Sequence, residues 1–163
     1  MSDCHFHPYD PADLPAVADI FVRAIRETAS ADYDPAQIAA WSRFDPAAWI
    51  RQRAARTTWV ARIEAVPAGF ADLEPDGHLD HLYVHPGFVR RGVGRCLISA
   101  LEAHAVTSGL SALYTEASLT ARPFFEAVGF RILAEETVAR SGQHFRRYRM
   151  RKDGLRPRPA PDR

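Results

Sequence analysis

Apolar residues recur along this chain at two different periods, and their succession predicts alternating strands and helices. His5 to Tyr9 reads as an edge strand. Asp10, Pro11 and Asp13 make a helix start with Asp10 as N-cap, and Ile20, Phe21, Ala24 and Ile25 follow as an apolar stripe at helical spacing that ends near Ser30. Asp34-Pro35 opens a second, short helix carrying Ile38 and Trp41, and Asp45-Pro46 opens a third with Trp49 and Ile50 facing inward. Thr57 to Glu64 and Ala68 to Glu74 read as strands broken at Ala65-Val66-Pro67, and Pro75-Asp76-Gly77 turns the chain into a fourth. Strands two, three and four should therefore form an antiparallel meander.

Further along, Val93, Leu97, Ala100, Leu101 and His104 repeat at helical spacing until Ser108-Gly109 stops the helix, and Leu110 to Ala117 follows as a buried strand. A strand reached through a crossover helix runs parallel to its predecessor, so the fourth and fifth strands are expected to be a parallel pair. Ala121 to Val128 reads as a short helix capped by Gly129, and Phe130 to Glu136 with His144 to Met150 as a closing hairpin. The fold class is α/β in the mixed α+β sense. Six to seven mostly antiparallel strands and about four helices occupy residues 1–152 as one domain, and the Pro- and Arg-rich stretch 153–163 is expected to be a disordered tail.

A chain of 163 residues is long enough for one sizeable core. Its 21 Lys and Arg against 20 Asp and Glu argue for neither a nucleic-acid nor a membrane partner. The start, MSDCHFHPYD, lacks the apolar centre of a secretion signal and no run is long enough to span a bilayer, so a cytoplasmic location is expected. Cys4 and Cys96 have neither metal-ligand spacing nor a disulfide framework, and no metal is expected.

The densest chemistry lies between Asp80 and Ala103, where an apolar strand passes Pro86, enters a basic turn interrupted by Gly92 and Gly94, and runs directly into a helix. Glycine lets the backbone bend sharply and approach a ligand closely, and the unpaired N–H groups of a helix start attract phosphate. Arg90, Arg91 and Arg95 add forked cations suited to phosphate oxygens. Neither the dinucleotide fingerprint nor the nucleoside triphosphate loop fits, since the third glycine of one and the Gly-Lys-Ser/Thr of the other are missing.

Val89-Arg90-Arg91-Gly92-Val93-Gly94 resembles the (Gln/Arg)-x-x-Gly-x-(Gly/Ala) signature of the GNAT superfamily of N-acetyltransferases. Ser118 to Phe130 resembles that family's second element, Asn-x-x-Ala-x-x-Phe-Tyr-Glu-x-x-Gly-Phe, and the two motifs occur in the family's order. The resemblance spans roughly Cys4 to Arg151. It implies that the fourth and fifth strands splay and that the pantetheine arm of acetyl-CoA, the co-substrate, lies between them against the backbone of Leu82, Tyr83 and Val84. It also implies that Val89, Arg90, Arg91, Gly92, Val93, Gly94 and Arg95 hold the pyrophosphate. Ser118 stands in place of the family's asparagine and Phe125 in place of its usual tyrosine, with Phe125 against the thioester pocket.

By the same resemblance, the reaction is expected to be direct attack by a primary amine of a small molecule or peptide on acetyl-CoA. A non-catalytic acyl-CoA sensing module is the alternative. Glu116 and Asp80 are the candidate bases, and Tyr83 is preferred over Tyr114 as proton donor because Phe125 has no hydroxyl to give. His81 is a further titratable group on the fourth strand. Tyr33 and Asp32, in ASADYDPAQ, are candidate acceptor contacts, while Trp41, Trp49 and Trp59 are expected in the core. A homodimer is a further expectation of the resemblance.

Overall fold

The computed structural model describes residues 3–157. β1 (Cys4–Pro8) leads through a turn over Pro11–Asp13 into α1 (Leu14–Arg23), whose helical path continues as a wide π turn over Ala24–Thr28 and a tight turn over Ala29–Ala31. α2 (Pro35–Trp41) and α3 (Pro46–Gln52) follow, then β2 (Thr57–Ile63), β3 (Val66–Leu73) and β4 (His78–Val84). α4 (Val93–Thr107) crosses over to β5 (Leu113–Ser118), and α5 (Arg122–Ala127), β6 (Arg131–Arg140) and β7 (Gln143–Lys152) complete the chain. The seven strands form one sheet in the order β1-β2-β3-β4-β5-β7-β6, antiparallel except between β4 and β5. Among the described residues, no helix is long and apolar enough to cross a membrane.

Local chemistry sets the helix starts. Asp10 accepts the Ala12 N–H while Asp13 accepts the Asp10 N–H, and Asp34 and Gln37 make the same reciprocal box at α2. Asp45 caps α3 through the N–H groups of Ala47 and Ala48. In α3 the phase differs from expectation: Trp49 is buried but Ile50 is 60% exposed, because seven residues make only two turns and one face. The β2–β3 reversal is also displaced, to Glu64 and Ala65 with φ of 50° and 64°, so Val66 and Pro67 already belong to β3.

Two apolar layers cover the sheet. On one face α4 and α5 bury Leu97, Leu101, Phe125 and Phe130 against Leu79, Leu113 and Met150. On the other, α1, α2 and α3 bury Val17, Ile20, Ile25 and Trp49 against Val60 and Phe70. Fully burying one such Leu or Ile contributes about 1.5–3 kcal/mol, so both layers hold the sheet rigid beneath the site. α4 sits low on β3 because Gly69 has no side chain; a Cβ there would lie 2.8 Å from Val93 Cγ1. Past β7, Leu155 donates its N–H to Ser111 O at 2.9 Å and packs on the α4 layer, so order extends into the expected tail. The remainder of that tail, residues 158–163, lies outside the described residues.

Candidate active site

β4 and β5 pair only at His78 with Tyr114 and at Leu79 with Thr115, where Thr115 Oγ1 also donates to Leu79 O at 2.8 Å. Beyond that hinge the strands part. β3 stays paired with β4 as far as Gly69 opposite Val84, and β7 with β5 as far as Arg147 opposite Ser118, so the gap is a wedge with intact strands on both sides. His81 donates its N–H to Asp72 and His85 its N–H to Ala68 O, both toward β3. Period two then turns the N–H and C=O groups of Leu82 and Val84 into the wedge, free for an extended ligand. Tyr114 donates its N–H to Gly77 O on the β4 side, so by the same alternation the backbone of Glu116 and Ser118 faces the wedge from β5.

A bulge in β4 decides which side chains join this gap. The register slips between Ala71 and Leu73 of β3, leaving an extra residue opposite Asp72. Leu79 and Leu82, three apart, therefore both face α4, while Tyr83 faces α1 to α3. The His81 ring turns to that same side, 6.4 Å from Phe21 and 5.7 Å from Trp49. Fully buried Asp72 fills the bulge, accepting the His81 N–H at 2.9 Å and lying 2.7 Å from its Nδ1. Arg53 and Arg56 stand behind Asp72 at 3.1 and 3.4 Å. Burial opposes the charge on Asp72, but His81 and the two guanidinium groups outweigh it and hold the carboxyl below its usual range. Asp72, Asp80 and His81 bring ligand atoms within 4.8 Å of one another. A metal ion there would meet the guanidinium of Arg56, which already bonds both carboxylates.

The turn between β4 and α4 has the shape its glycines require. Arg90 and Gly92 take left-handed φ of 61° and 79°, and Gly92 leaves the start of the 15-residue α4 without a side-chain cap. Gly94 admits the next layer, because a Cβ there would lie 2.8 Å from Cε2 of Phe124. Arg90 and Arg95 are exposed and form no ion pair among the described residues, and Arg91 lies over the Phe88 ring at 5.3 Å. Uncapped N–H groups, two unneutralised cations and a narrow backbone approach fit a diphosphate.

A cavity of about 1000 Å³ runs from this turn through the wedge to the α1–α3 side. It is lined by Val89 to Gly94 apart from Arg91, with Arg95, Phe124 and Phe125 at one end, by Leu82, Tyr83, Val84, Glu116 and Ser118 in the middle, and by aromatic residues beyond. Ser118 Oγ accepts the Ala121 N–H at 3.0 Å and its hydroxyl also bonds the Tyr33 phenol. The two expected bases are both engaged: Asp80 pairs with Arg56 at 2.5 Å and Glu116 with His78 at 2.5 Å. The bond from His78 holds the Glu116 carboxyl below its usual range despite partial burial. Tyr83 accepts the Trp41 indole N–H at 3.2 Å, and burial pushes its phenol well above the usual range, so it keeps its proton. Tyr114 lies elsewhere, bonded to Asp76 in the β3–β4 turn, and that bond pushes its phenol up to about 12.

Several expected acceptor contacts change place. Asp32 does not line the cavity; its carboxylate accepts the Thr120 hydroxyl at 2.7 Å on the exterior. Tyr33 does line it, but its hydroxyl is already used, accepting the Leu119 N–H at 2.9 Å and donating to Arg146 O at 3.2 Å. Trp49 and Trp59 are buried in the core as expected, with Trp41 packed against it, and Trp41 and Trp49 also form cavity wall with Phe21 and Phe44. Asp72, Arg53 and Arg56 were not singled out by the sequence, since their contacts join positions 16 to 19 residues apart. Arg146 and Arg147 of β7 pair with Glu135 and Glu136.

A splayed parallel strand pair above a glycine-opened helix start is the arrangement that the family resemblance implies. The chain belongs to the GNAT superfamily and is an N-acetyltransferase: the family model described as acetyltransferase (GNAT) domain matches residues 29–152. It is 36% identical over 151 residues to YafP of Escherichia coli, an uncharacterized N-acetyltransferase, covering 93% of this chain and 97% of that one. A crystal structure of a GCN5-related N-acetyltransferase from Rhodopseudomonas palustris is 37% identical and superposes with a TM-score of 0.89 over 94% of this chain and 97% of the other. YncA from Salmonella typhimurium, solved with its cofactor acetyl-CoA, shares the fold at 22% identity with a TM-score of 0.67 over 99% of each chain.

Proposed function

We propose that this enzyme transfers an acetyl group from acetyl-CoA to a primary amine by direct attack, with no acyl-enzyme stage. The observation that carries it is the single cavity joining the phosphate turn to the aromatic chamber through the wedge. The two substrates enter from opposite faces of the sheet. Main-chain N–H groups at the start of α4, with Arg90 and Arg95, hold the diphosphate, and Leu82 and Val84 hold the pantetheine as an added strand. A main-chain N–H in this stretch of β4 is aimed where negative charge develops on the thioester oxygen. Tyr83, which retains its proton, supplies it to the departing sulfur.

On the acceptor side, Phe21, Trp41, Phe44 and Trp49 suit an amine with an apolar or aromatic body, a small molecule or a peptide end. Glu116 and Asp80, each already paired with a cation, line the cavity as hydrogen-bond acceptors rather than as free charge. Thiol release from acetyl-CoA across a panel of aromatic and aliphatic amines and short peptides tests the proposal. Acceptor-dependent release with a matching acetylated product supports it. Saturable acetyl-CoA binding with no release above the acceptor-free rate would contradict it and favour a sensing module.

A further inference from the structure

An imidazole stands at the β4 bulge with one nitrogen committed and the other left over. We propose that His81 is the base that deprotonates the acceptor amine, through Nε2, and that Asp72 is the residue that positions it; this rests on the acyl-transfer function proposed above. An ionised carboxylate only accepts hydrogen bonds, so Asp72 Oδ2, 2.7 Å from Nδ1, requires the ring hydrogen on Nδ1. In the neutral ring the lone pair then resides on Nε2. Among the described residues Nε2 makes no hydrogen bond, and the ring lines the cavity.

The surroundings support this assignment. The rings of Phe21, Trp49, Phe70 and Tyr83 stand 5.7 to 6.4 Å from the imidazole and fix its plane. The charged groups facing it are Asp72 from β3 and Asp80 from β4, whose Oδ2 is 3.6 Å from Nδ1. Arg53 and Arg56, from the α3–β2 connection, sit behind Asp72, and Tyr83 is the titratable neighbour on β4. α1 presents the Phe21 ring and α3 the Trp49 ring. The rival bases are each locked to a cation, Asp80 to Arg56 and Glu116 to His78, so accepting a proton would break an ion pair.

The step balances without a further reactant. Nε2 takes one proton from the ammonium, the freed nitrogen lone pair forms the C–N bond at the acyl carbon, and the C–S bond breaks with its electrons on sulfur. As the tetrahedral intermediate collapses the nitrogen sheds its second proton to water, Tyr83 gives its own proton to the sulfur and is reprotonated from that water, and the proton on Nε2 returns to solvent, so that one proton is released per turnover. Because His81 acts only when neutral, kcat falls toward acid in the wild-type enzyme.

Two measurements test the proposal, with 2-phenylethylamine and phenylalaninamide as probe acceptors. H81Q should lower kcat by about 10²–10⁴-fold, erase the acid limb of the kcat–pH profile and leave acetyl-CoA affinity by calorimetry unchanged. Nitrogen NMR of histidine-labelled wild-type protein should show His81 as the Nδ1–H tautomer, a readout independent of turnover and of the variant's folding. An Nε2–H tautomer overturns the assignment, as does an H81Q rate within about threefold of wild type with the acid limb retained. Wild-type enzyme that turns over no amine would instead contradict the proposed function, and this role with it.

Discussion

The imidazole of His78 bridges β4 and β5 at the point where they part, with Nε2 2.5 Å from Oε2 of Glu116 and Nδ1 bonded to Glu74. The bond to Glu116 pushes His78 up to about 9; partial burial opposes this and the bond to Glu74 reinforces it. At neutral pH an imidazolium therefore clamps the closed end of the wedge, and the opening beyond it starts from a fixed hinge.

A pH window follows from this clamp. His78 titrates higher in the folded chain than its ordinary 6.5, so its contribution is complete below about 6.5 and lost as pH rises through about 9. Glu116 titrates lower than usual, so its contribution is present at neutral pH and lost as pH falls through its depressed value. H78Q should cost about 1–3 kcal/mol at pH 6.5, between the ranges for exposed and buried pairs. Thermal unfolding from pH 6 to 10 checks this: wild type should lose stability toward pH 9 more steeply than H78Q.

Gly94 is expected to tolerate no side chain without displacing Phe124, whose Cε2 would lie 2.8 Å from an added Cβ. G94A should weaken coenzyme A binding by about tenfold, since α4 must shift away from α5 and moves its N–H groups with it. Calorimetric titration of coenzyme A into the variant provides the comparison. Equal affinity for the two proteins would show that the Phe124 ring swings aside freely.

Arg90 and Arg95 should act as phosphate contacts without contributing to folding. Each alanine variant is expected to lose about fivefold in coenzyme A affinity, and the dependence of affinity on salt should become shallower. Unfolding midpoints should stay within about 0.5 kcal/mol of wild type, as for exposed surface substitutions. Affinities at several sodium chloride concentrations distinguish this from solvated arginines, which would leave the salt dependence unchanged.

Tyr33 ties the α1–α2 connection to the end of β5 and to β7 through two hydrogen bonds from one hydroxyl. Y33F leaves the Leu119 N–H without its partner and should cost about 1–3 kcal/mol. It should lower kcat/KM for an amine more than it changes acetyl-CoA affinity, because the bonds brace the acceptor end of the cavity. Steady-state kinetics beside calorimetry separates the two effects.

The parts of this enzyme legible in its sequence are the ones written locally. Gly92, Gly94 and the stripe Val93-Leu97-Leu101 announce a turn into a helix within ten residues, and Asp10, Asp34 and Asp45 announce helix starts within four. The parallel β4–β5 pair was legible from the crossover helix, whereas its splaying came only from the family resemblance. The β4 bulge was not legible, because one extra residue changes which face His81 occupies without leaving a motif. Nor was the Asp72 cluster, a strand carboxylate whose role depends on Arg53 and Arg56 arriving from another element. Asp32 illustrates the reverse error: a carboxylate beside an aromatic ring suggested an amine site, yet its nearest acceptable donor was the Thr120 hydroxyl.

A crystal structure of this enzyme with coenzyme A bound tests the central claim most directly. The diphosphate should rest on main-chain N–H groups between residues 89 and 95, with the pantetheine paired to Leu82 and Val84 and the sulfur between Tyr83 and Ser118. Coenzyme A bound elsewhere, or a wedge between β4 and β5 that stays empty at saturating coenzyme, would contradict it.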